Sequence, residues 1–311
     1  MTLWEYFRNQ FFFLKNRNRA KIYDCFLFFN ENDLLEIRLN ELKNVVDYFI
    51  ILESNHTFSK KAKQFIFDSD RFKNFRKKII YIKNQDWIKS PNSWDFEKNQ
   101  RNKLIDSLIN AKSEDIVILS DLDEIPKKDS IKEAFYEIYK NNKKYVRLSL
   151  IDFRYALNNM SQNKLTSESV IITQKQNISS MQELRLDQKA EIIIKDAGYH
   201  YSFVSSPEDI LFKISSYSHQ EYNKWPNNDI NFIKQRIYNG QSNFSHEEQT
   251  YTKVKLNKKN SLKYILQNKK KYDNIIFKHE EPTIWNKIMS IYNNEICRLK
   301  KYTLGLRDKS S

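Results

Sequence analysis

The chain has 311 residues, 53 Lys/Arg against 39 Asp/Glu, a net charge of +14 and 14% aromatic residues. That length holds one large α/β domain with an ample core, and the aromatic content excludes wholesale disorder despite a mean hydropathy of −0.74. Only Cys25 and Cys297 are present, far apart, which excludes a disulfide framework or a thiolate zinc site and fits a reducing cytoplasm.

Residues 1–20 read as an N-terminal extension. The apolar run Phe11-Phe12-Phe13-Leu14, between Arg8 and Lys15, is too short to span a bilayer and at most lies on a membrane surface. Lys21 to Phe29 predicts a first strand. Asp33 is a good N-cap for a helix through Lys43, with Leu34, Leu35, Ile37, Leu39 and Leu42 as its apolar stripe. A second strand, Val45 to Leu52, ends in an acid, Glu53. A loop over 55–63, a short helix over 70–76 and a third strand over 79–83 follow. Trp94 to Asn110 predicts a helix with Phe96, Leu104, Ile105, Leu108 and Ile109 toward the sheet. Arg101 falls on that stripe, where a guanidinium either meets an anion at the strand ends or snorkels to solvent.

The most informative stretch is Asp115-Ile116-Val117-Ile118-Leu119-Ser120-Asp121-Leu122-Asp123-Glu124-Ile125-Pro126. An apolar, mostly β-branched run that breaks off into acids reads as a buried fourth strand delivering carboxylates at its C-terminal end, where open α/β sheets place ligands. Asp121 and Asp123 leave extended backbone on the same side, which suits a hard divalent cation such as Mn²⁺ or Mg²⁺. An acidic, solvated turn is the alternative.

Next come a helix over 129–139 and a strand over 145–153. The alternation to this point argues a central, mostly parallel sheet flanked by helices. Val170 to Thr173 and Glu191 to Ile194 read as short strands of antiparallel type. Ser206-Pro207-Glu208-Asp209 opens a helix, and 229–238 is another. From Asn257 onward Lys-rich amphipathic helices are expected, with Tyr264, Leu266, Ile275, Ile276, Ile284, Trp285, Ile288 and Ile291 as apolar partners. Residues 251–311 carry 15 Lys/Arg against 5 Asp/Glu. That balance favours an anionic surface as partner, unless it is a merely solvated helical face.

Three glycines exclude a Rossmann dehydrogenase or P-loop kinase, and no G-x-S-x-G occurs. His246-Glu247-Glu248 lacks the second His of a zinc protease and reads as a polar loop. His200, in Gly198-Tyr199-His200, is a candidate additional metal ligand, with Gly198 permitting a tight backbone approach, and His219 is a second candidate; a packed, hydrogen-bonded histidine is the alternative for both.

The run from Ile22 through Phe29-Asn30-Glu31, Asp33 to Leu42 and Val46 to Phe49 resembles the opening of glycosyltransferase family 17. So do Gln100-Arg101-Asn102, Ser120 to Pro126, Gly198-Tyr199-His200, and Lys213 through Ser218-His219-Gln220-Glu221-Tyr222, all colinear over about residues 21–240. Tyr199 stands where the family commonly has Trp. The resemblance implies a GT-A nucleotide-sugar fold over residues 21–245, a basic helical extension over 246–311, and an inverting transfer from a UDP-sugar, UDP-GlcNAc foremost. It places the metal on Asp123, with Asp121 and His200 as further ligands. Phe28, Asn30, Glu31, Glu53, Arg101, Asn102 and Asp121 are expected to hold the nucleotide, and Asp209, Glu208 or Glu183 to be the general base. Without the transmembrane anchor of the family's Golgi members, the expected acceptor is a bacterial cell-surface polysaccharide or lipid-linked oligosaccharide. The protein is then cytoplasmic, with peripheral membrane contact through its basic C-terminal helices and no nucleic-acid partner. Two other readings compete. A haloacid-dehalogenase-like phosphohydrolase also ends a strand in D-x-D, though in its first strand, and a non-catalytic module could bind polyanions or membrane through the basic tail.

Overall fold

The computed structural model describes residues 2–162, 166–186, 190–244 and 249–278. In chain order the first half comprises α1 (Leu3–Asn16), β1 (Ile22–Phe28), α2 (Asn32–Leu42), β2 (Tyr48–Ser54), β3 (Ile79–Asn84), α3 (Ser93–Lys103), β4 (Ile116–Leu119), β5 (Glu124–Pro126) and α4 (Lys128–Lys140). The second half comprises β6 (Tyr145–Arg154), β7 (Asn159–Ser161), β8 (Thr166–Gln174), α5 (Met181–Leu186), β9 (Ile192–Ser202), α6 (Pro207–Ile214), α7 (Ile230–Asn239), β10 (Tyr251–Lys253) and α8 (Lys263–Gln267).

The strands form one sheet in the order β10-β7-β6-β8-β4-β1-β2-β3, with β9 pairing β5 and β6. The β3-β2-β1-β4 half is parallel, as the alternating pattern predicts. Beyond β4 the sheet is mixed: 170–173 lies in an antiparallel strand as expected, whereas 192–194 pairs β6 in parallel instead of antiparallel. There β8 inserts antiparallel between β4 and β6, so β6 keeps the parallel direction but loses the direct pairing. The physical reason is connectivity: too few residues separate β6 from β8 for the crossover that a parallel pairing needs. Two apolar layers cover the sheet. One joins Leu34, Leu35, Ile118, Phe135 and Tyr199, and the other joins Cys25, Leu52, Leu104, Val117 and Met181.

Four local expectations are corrected. Glu31, not Asp33, occupies the N-cap of α2, and Asp33 sits in its first turn. The 70–76 helix reduces to a 3-10 turn, Lys73–Phe75. The long helix from Trp94 ends at Lys103 and tightens into a 3-10 turn, Leu104–Leu108, where the Ser107 hydroxyl donates to the Leu104 carbonyl at 2.7 Å and competes for a helical acceptor. Ile109 consequently points out, 83% exposed.

The described parts of both segments that composition sets apart pack on this body. Phe13 of α1 is buried in the main core, edge-on to Phe135 at 5.2 Å. At the other end β10 pairs β7, and Leu256, Leu262, Ile265 and Tyr272 join the same core. Instead of long amphipathic helices, residues 263–275 form the five-residue α8 and a 3-10 turn, Lys269–Ile275. Ile284, Trp285, Ile288, Ile291 and His246 to Glu248 lie outside the described residues. Among the described residues no helix is long and apolar enough to cross a membrane.

Candidate active site

Parallel neighbours β1 and β4 end on the same edge of the sheet, so the turns that follow them meet. The first carries Phe29 and Asn30 into Glu31, and the second is the acidic turn from Ser120 to Glu124. β9 lies between β5 and β6 and brings His200 opposite Glu124 on one side and Asp152 on the other. Gly198 makes this pairing possible: a Cβ there would stand 2.4 Å from the Ile125 carbonyl oxygen and 2.7 Å from Pro126 Cα. α6, opened by Ser206 as N-cap with Pro207 in its first turn, supplies Lys213. Between these elements lies a cavity of about 400 Å³ lined by Phe28, Glu31, Arg101, Asp121, Asp123 and His200, together with Arg154, Lys213, Trp94 and His219.

Each carboxylate of the acidic turn meets a cation, and Asp121 and Glu124 share Arg185. Asp121 accepts from Arg101 Nη2 at 3.2 Å and from Arg185 Nη2 at 2.8 Å. Burial pushes its pKa up, but the two guanidiniums outweigh burial and hold it well below the usual carboxylate range. The Arg185 fork also takes Glu124 at 2.8 Å, and the Glu124 carboxyl is lowered by the same contest. Asp123 differs. It has Lys213 Nζ at 3.3 Å and His200 Nε2 at 3.9 Å, and burial leaves its pKa raised.

Lys213 also donates to Glu31 at 2.9 Å. Burial disfavours the ammonium, yet Glu31 and Asp123 more than compensate and raise its pKa. His200 Nδ1 stands 3.1 Å from Asp152 Oδ1; burial lowers its pKa, but Asp152 and Asp123 carry it up to about 9. Lys213 and His200 are therefore cationic at neutral pH, and with Arg154 they line the cavity beside Asp123. Such a cluster suits a diphosphate.

Seven of the candidate site residues named from the sequence thus come together: Phe28, Glu31, Arg101, Asp121, Asp123, His200 and His219. The others lie off the cavity lining. Glu53 is wholly buried and accepts from Lys63 Nζ, Tyr81 Oη and the backbone N–H groups of Ile66 and Phe67, so it clamps the 63–67 segment to β2. Asn102 accepts from Ser180 Oγ and Gln182 N and ties α3 to α5. Asn30 donates its backbone N–H to Glu31 at 3.1 Å. Asp209 is bonded to the capping Ser206, Glu208 pairs with Lys234 at 3.0 Å on the surface, and Glu183 accepts from Ser179 at 3.3 Å.

Arg38 and Arg185 escape the sequence reading, and Lys213 and Arg154 receive no role in it. For Arg38 a signal existed: it falls on the α2 stripe, one turn after Leu34 and one before Leu42, where a charge needs a partner. Arg185 sits in a six-residue helix without periodicity and gave none.

The sequence model described as glycosyltransferase family 17 matches residues 9–276. The chain is similar to the β-1,4-mannosyl-glycoprotein 4-β-N-acetylglucosaminyltransferases of Rattus norvegicus, at 24% identity, and Homo sapiens, at 23%, each over 252 residues. Each alignment covers 68% of this chain and 46% of the relative, so the chain spans about half the length of these curated relatives. Among solved structures, S. aureus TarS 1-349 in complex with UDP-GlcNAc aligns at 13% identity with a TM-score of 0.39, covering 70% of this chain and 66% of that one. With its family model matched from α1 to beyond α8, this chain belongs to glycosyltransferase family 17.

Proposed function

We propose that the chain is a GT-A-type, inverting transferase that moves GlcNAc from UDP-GlcNAc to a sugar hydroxyl. The observation that carries this reading is the juxtaposition of Asp123 with Lys213, His200 and Arg154 at the strand ends, in a cavity of about 400 Å³. Family membership gives the reaction class, and the names of the curated relatives favour GlcNAc.

The donor set fits one divalent ion at Asp123. Its carboxylate is hard and lines the cavity, among the described residues only one of its oxygens accepts a hydrogen bond, from Lys213 at 3.3 Å, and Mg²⁺-type sites often use one protein carboxylate with substrate phosphates and waters. Asp121 fits less well as a ligand because both of its oxygens accept from arginines. When bound, Mn²⁺ or Mg²⁺ supplies Lewis-acid charge to the diphosphate.

Lys213 and His200, both protonated, donate to the diphosphate oxygens and stabilise the charge that grows as the bond between C1 and UDP breaks. Phe28 and Phe29, at the end of β1, offer apolar surface to the uracil. Trp94, edge-on to His219 at 4.4 Å, and Tyr217 line the cavity and offer aromatic surface to the acceptor ring. His219 Nδ1 stands 2.6 Å from Glu221 Oε1, which orients the ring and leaves Nε2 to take the proton of the attacking hydroxyl. Asp209, Glu208 and Glu183 give up that role because none lines the cavity.

The test is a screen of UDP-sugars for UDP release, with and without Mn²⁺, on the parent, Asp123→Asn and His219→Ala. Release of UDP from UDP-GlcNAc by the parent, loss of the Mn²⁺ effect in Asp123→Asn, and retained UDP binding with lost transfer in His219→Ala are expected. No turnover of any UDP-sugar under either condition would sink the reading.

A further inference from the structure

The outer face of α1 has no role in the cavity, and among the described residues nothing covers it. Leu3, Trp4, Phe7, Phe11 and Leu14 are 73%, 73%, 58%, 69% and 73% exposed. At 3.6 residues per turn they share one stripe about 100° wide. The opposite face is fixed: Asn9 and Phe13 are buried, Phe12 meets Tyr136 at 5.1 Å, the Arg8 guanidinium lies over Tyr136 at 4.1 Å, and Gln10 donates to Asp129 at 2.9 Å. Turning the stripe inward would therefore break the packing of α1 on α4. Other large exposed apolar residues, such as Ile66, Ile109, Leu186 and Tyr238, are scattered singly and need no explanation.

Charge selects the occupant. Arg8 and Lys15 border one side of the stripe and Arg19 and Lys21 follow the helix, while Arg17 turns inward to Asp47 at 2.7 Å. Glu5, the one acid in α1, lies toward the inner face and accepts from the Thr2 N–H at 2.6 Å in a capping box. A Trp-, Phe- and Leu-rich stripe with a cationic border matches an anionic bilayer interface, where aromatic rings sit at headgroup depth and basic side chains meet lipid phosphates. A second copy of the chain fits worse. Its border would carry the same sign, and 14 residues amount to two heptads, short of the three to four that sustain a coiled coil.

We propose that α1 is a lipid-docking element that seats Leu3, Trp4, Phe7, Phe11 and Leu14 in the interface of an anionic membrane, independently of the transfer reaction. The test is co-sedimentation of the full chain with phosphatidylcholine vesicles, with and without about a third phosphatidylglycerol. Expected are at least ~10-fold stronger partitioning onto the anionic vesicles, weakened by salt, and loss of most of it in Trp4→Ser/Phe7→Ser/Phe11→Ser. Thermal unfolding of that variant stays at the parental temperature, since the three side chains are exposed. Trp4→Phe should still bind but lose part of the fluorescence quenching by brominated lipid. Parent protein that stays in the supernatant with both vesicles overturns the proposal, as does a triple variant that binds like the parent. A parental dimer that the triple variant converts to monomer, without vesicle binding, overturns it in favour of self-association.

Discussion

Nη1 of Arg38, on α2, donates to the backbone carbonyl of Asp121 at 2.9 Å, across 83 residues of sequence. The same nitrogen reaches the carbonyls of Leu122 at 3.2 Å and Glu124 at 2.9 Å, while Nε and Nη2 grip Asp24 of β1 at 2.8 and 2.5 Å and Nη2 also donates to Ser120 Oγ. Neither side chain of the Arg38–Asp24 pair has any solvent exposure. The acidic turn is thus shaped from beneath by one buried guanidinium, which holds its carbonyls down and leaves the carboxylates of Asp121 and Asp123 to face the cavity.

Removing that guanidinium strands Asp24 in the core. Arg38→Met should cost about 3–5 kcal/mol in urea unfolding, and Arg38→Lys should not rescue it, because an ammonium cannot span the fork. The double variant Asp24→Leu/Arg38→Met should be more stable than Arg38→Met alone. A single variant that unfolds at the parental urea concentration would contradict this account.

Lys213 joins Glu31 to Asp123 and is cationic throughout the physiological range. Lys213→Ala should lower kcat for UDP release by roughly 10²–10³, with Lys213→Arg recovering part of it. Circular dichroism should show the fold retained. Parental turnover in Lys213→Ala would remove this residue from the mechanism.

At Gly198 the added methyl of Gly198→Ala meets backbone at 2.4 and 2.7 Å and Leu150 Cδ2 at 2.8 Å. Because two of these atoms are main chain, relief requires β9 to separate from β5. A loss of about 1–3 kcal/mol or more is expected, with weaker UDP binding, since His200 is two residues along the same strand. An unchanged melting temperature would show that the close approach is not required.

His200 sets a pH limb on stability. Its pKa rises from an ordinary 6.5 to about 9 in the folded chain, so the protonated form favours folding. Its contribution is complete below pH 6.5 and is lost as pH climbs through about 9. In metal-free protein the parent should lose stability across that window, and His200→Gln should flatten the loss. Equal slopes for the two proteins would refute the assignment.

The acidic turn, the parallel order of the first four strands, the close approach at Gly198 and the cavity-facing Asp123 were legible because they rest on local rules. A β-branched run ending in acids marks a buried strand and its ligand-bearing end, and an isolated glycine before a candidate histidine marks a tight backbone approach. Seven of the candidate site residues named from the sequence do share the cavity. Glu53 was misplaced by the same logic: it ends a strand at the correct edge, but four donors from 63–81 close over it.

By itself, the sequence determined that there is one α/β body, that the fourth strand delivers carboxylates, and which family that pattern resembles, since periodicity and short motifs are properties of adjacent residues. The tertiary structure alone decided which cation each carboxylate receives. Arg38, Arg101, Arg185 and Lys213 come from four different helices, and long flexible cationic side chains leave no register in the chain that says which anion they meet. It also decided that one face of α1 is buried and the other left to solvent, because the choice depends on where α4 lies rather than on the helix's own sequence.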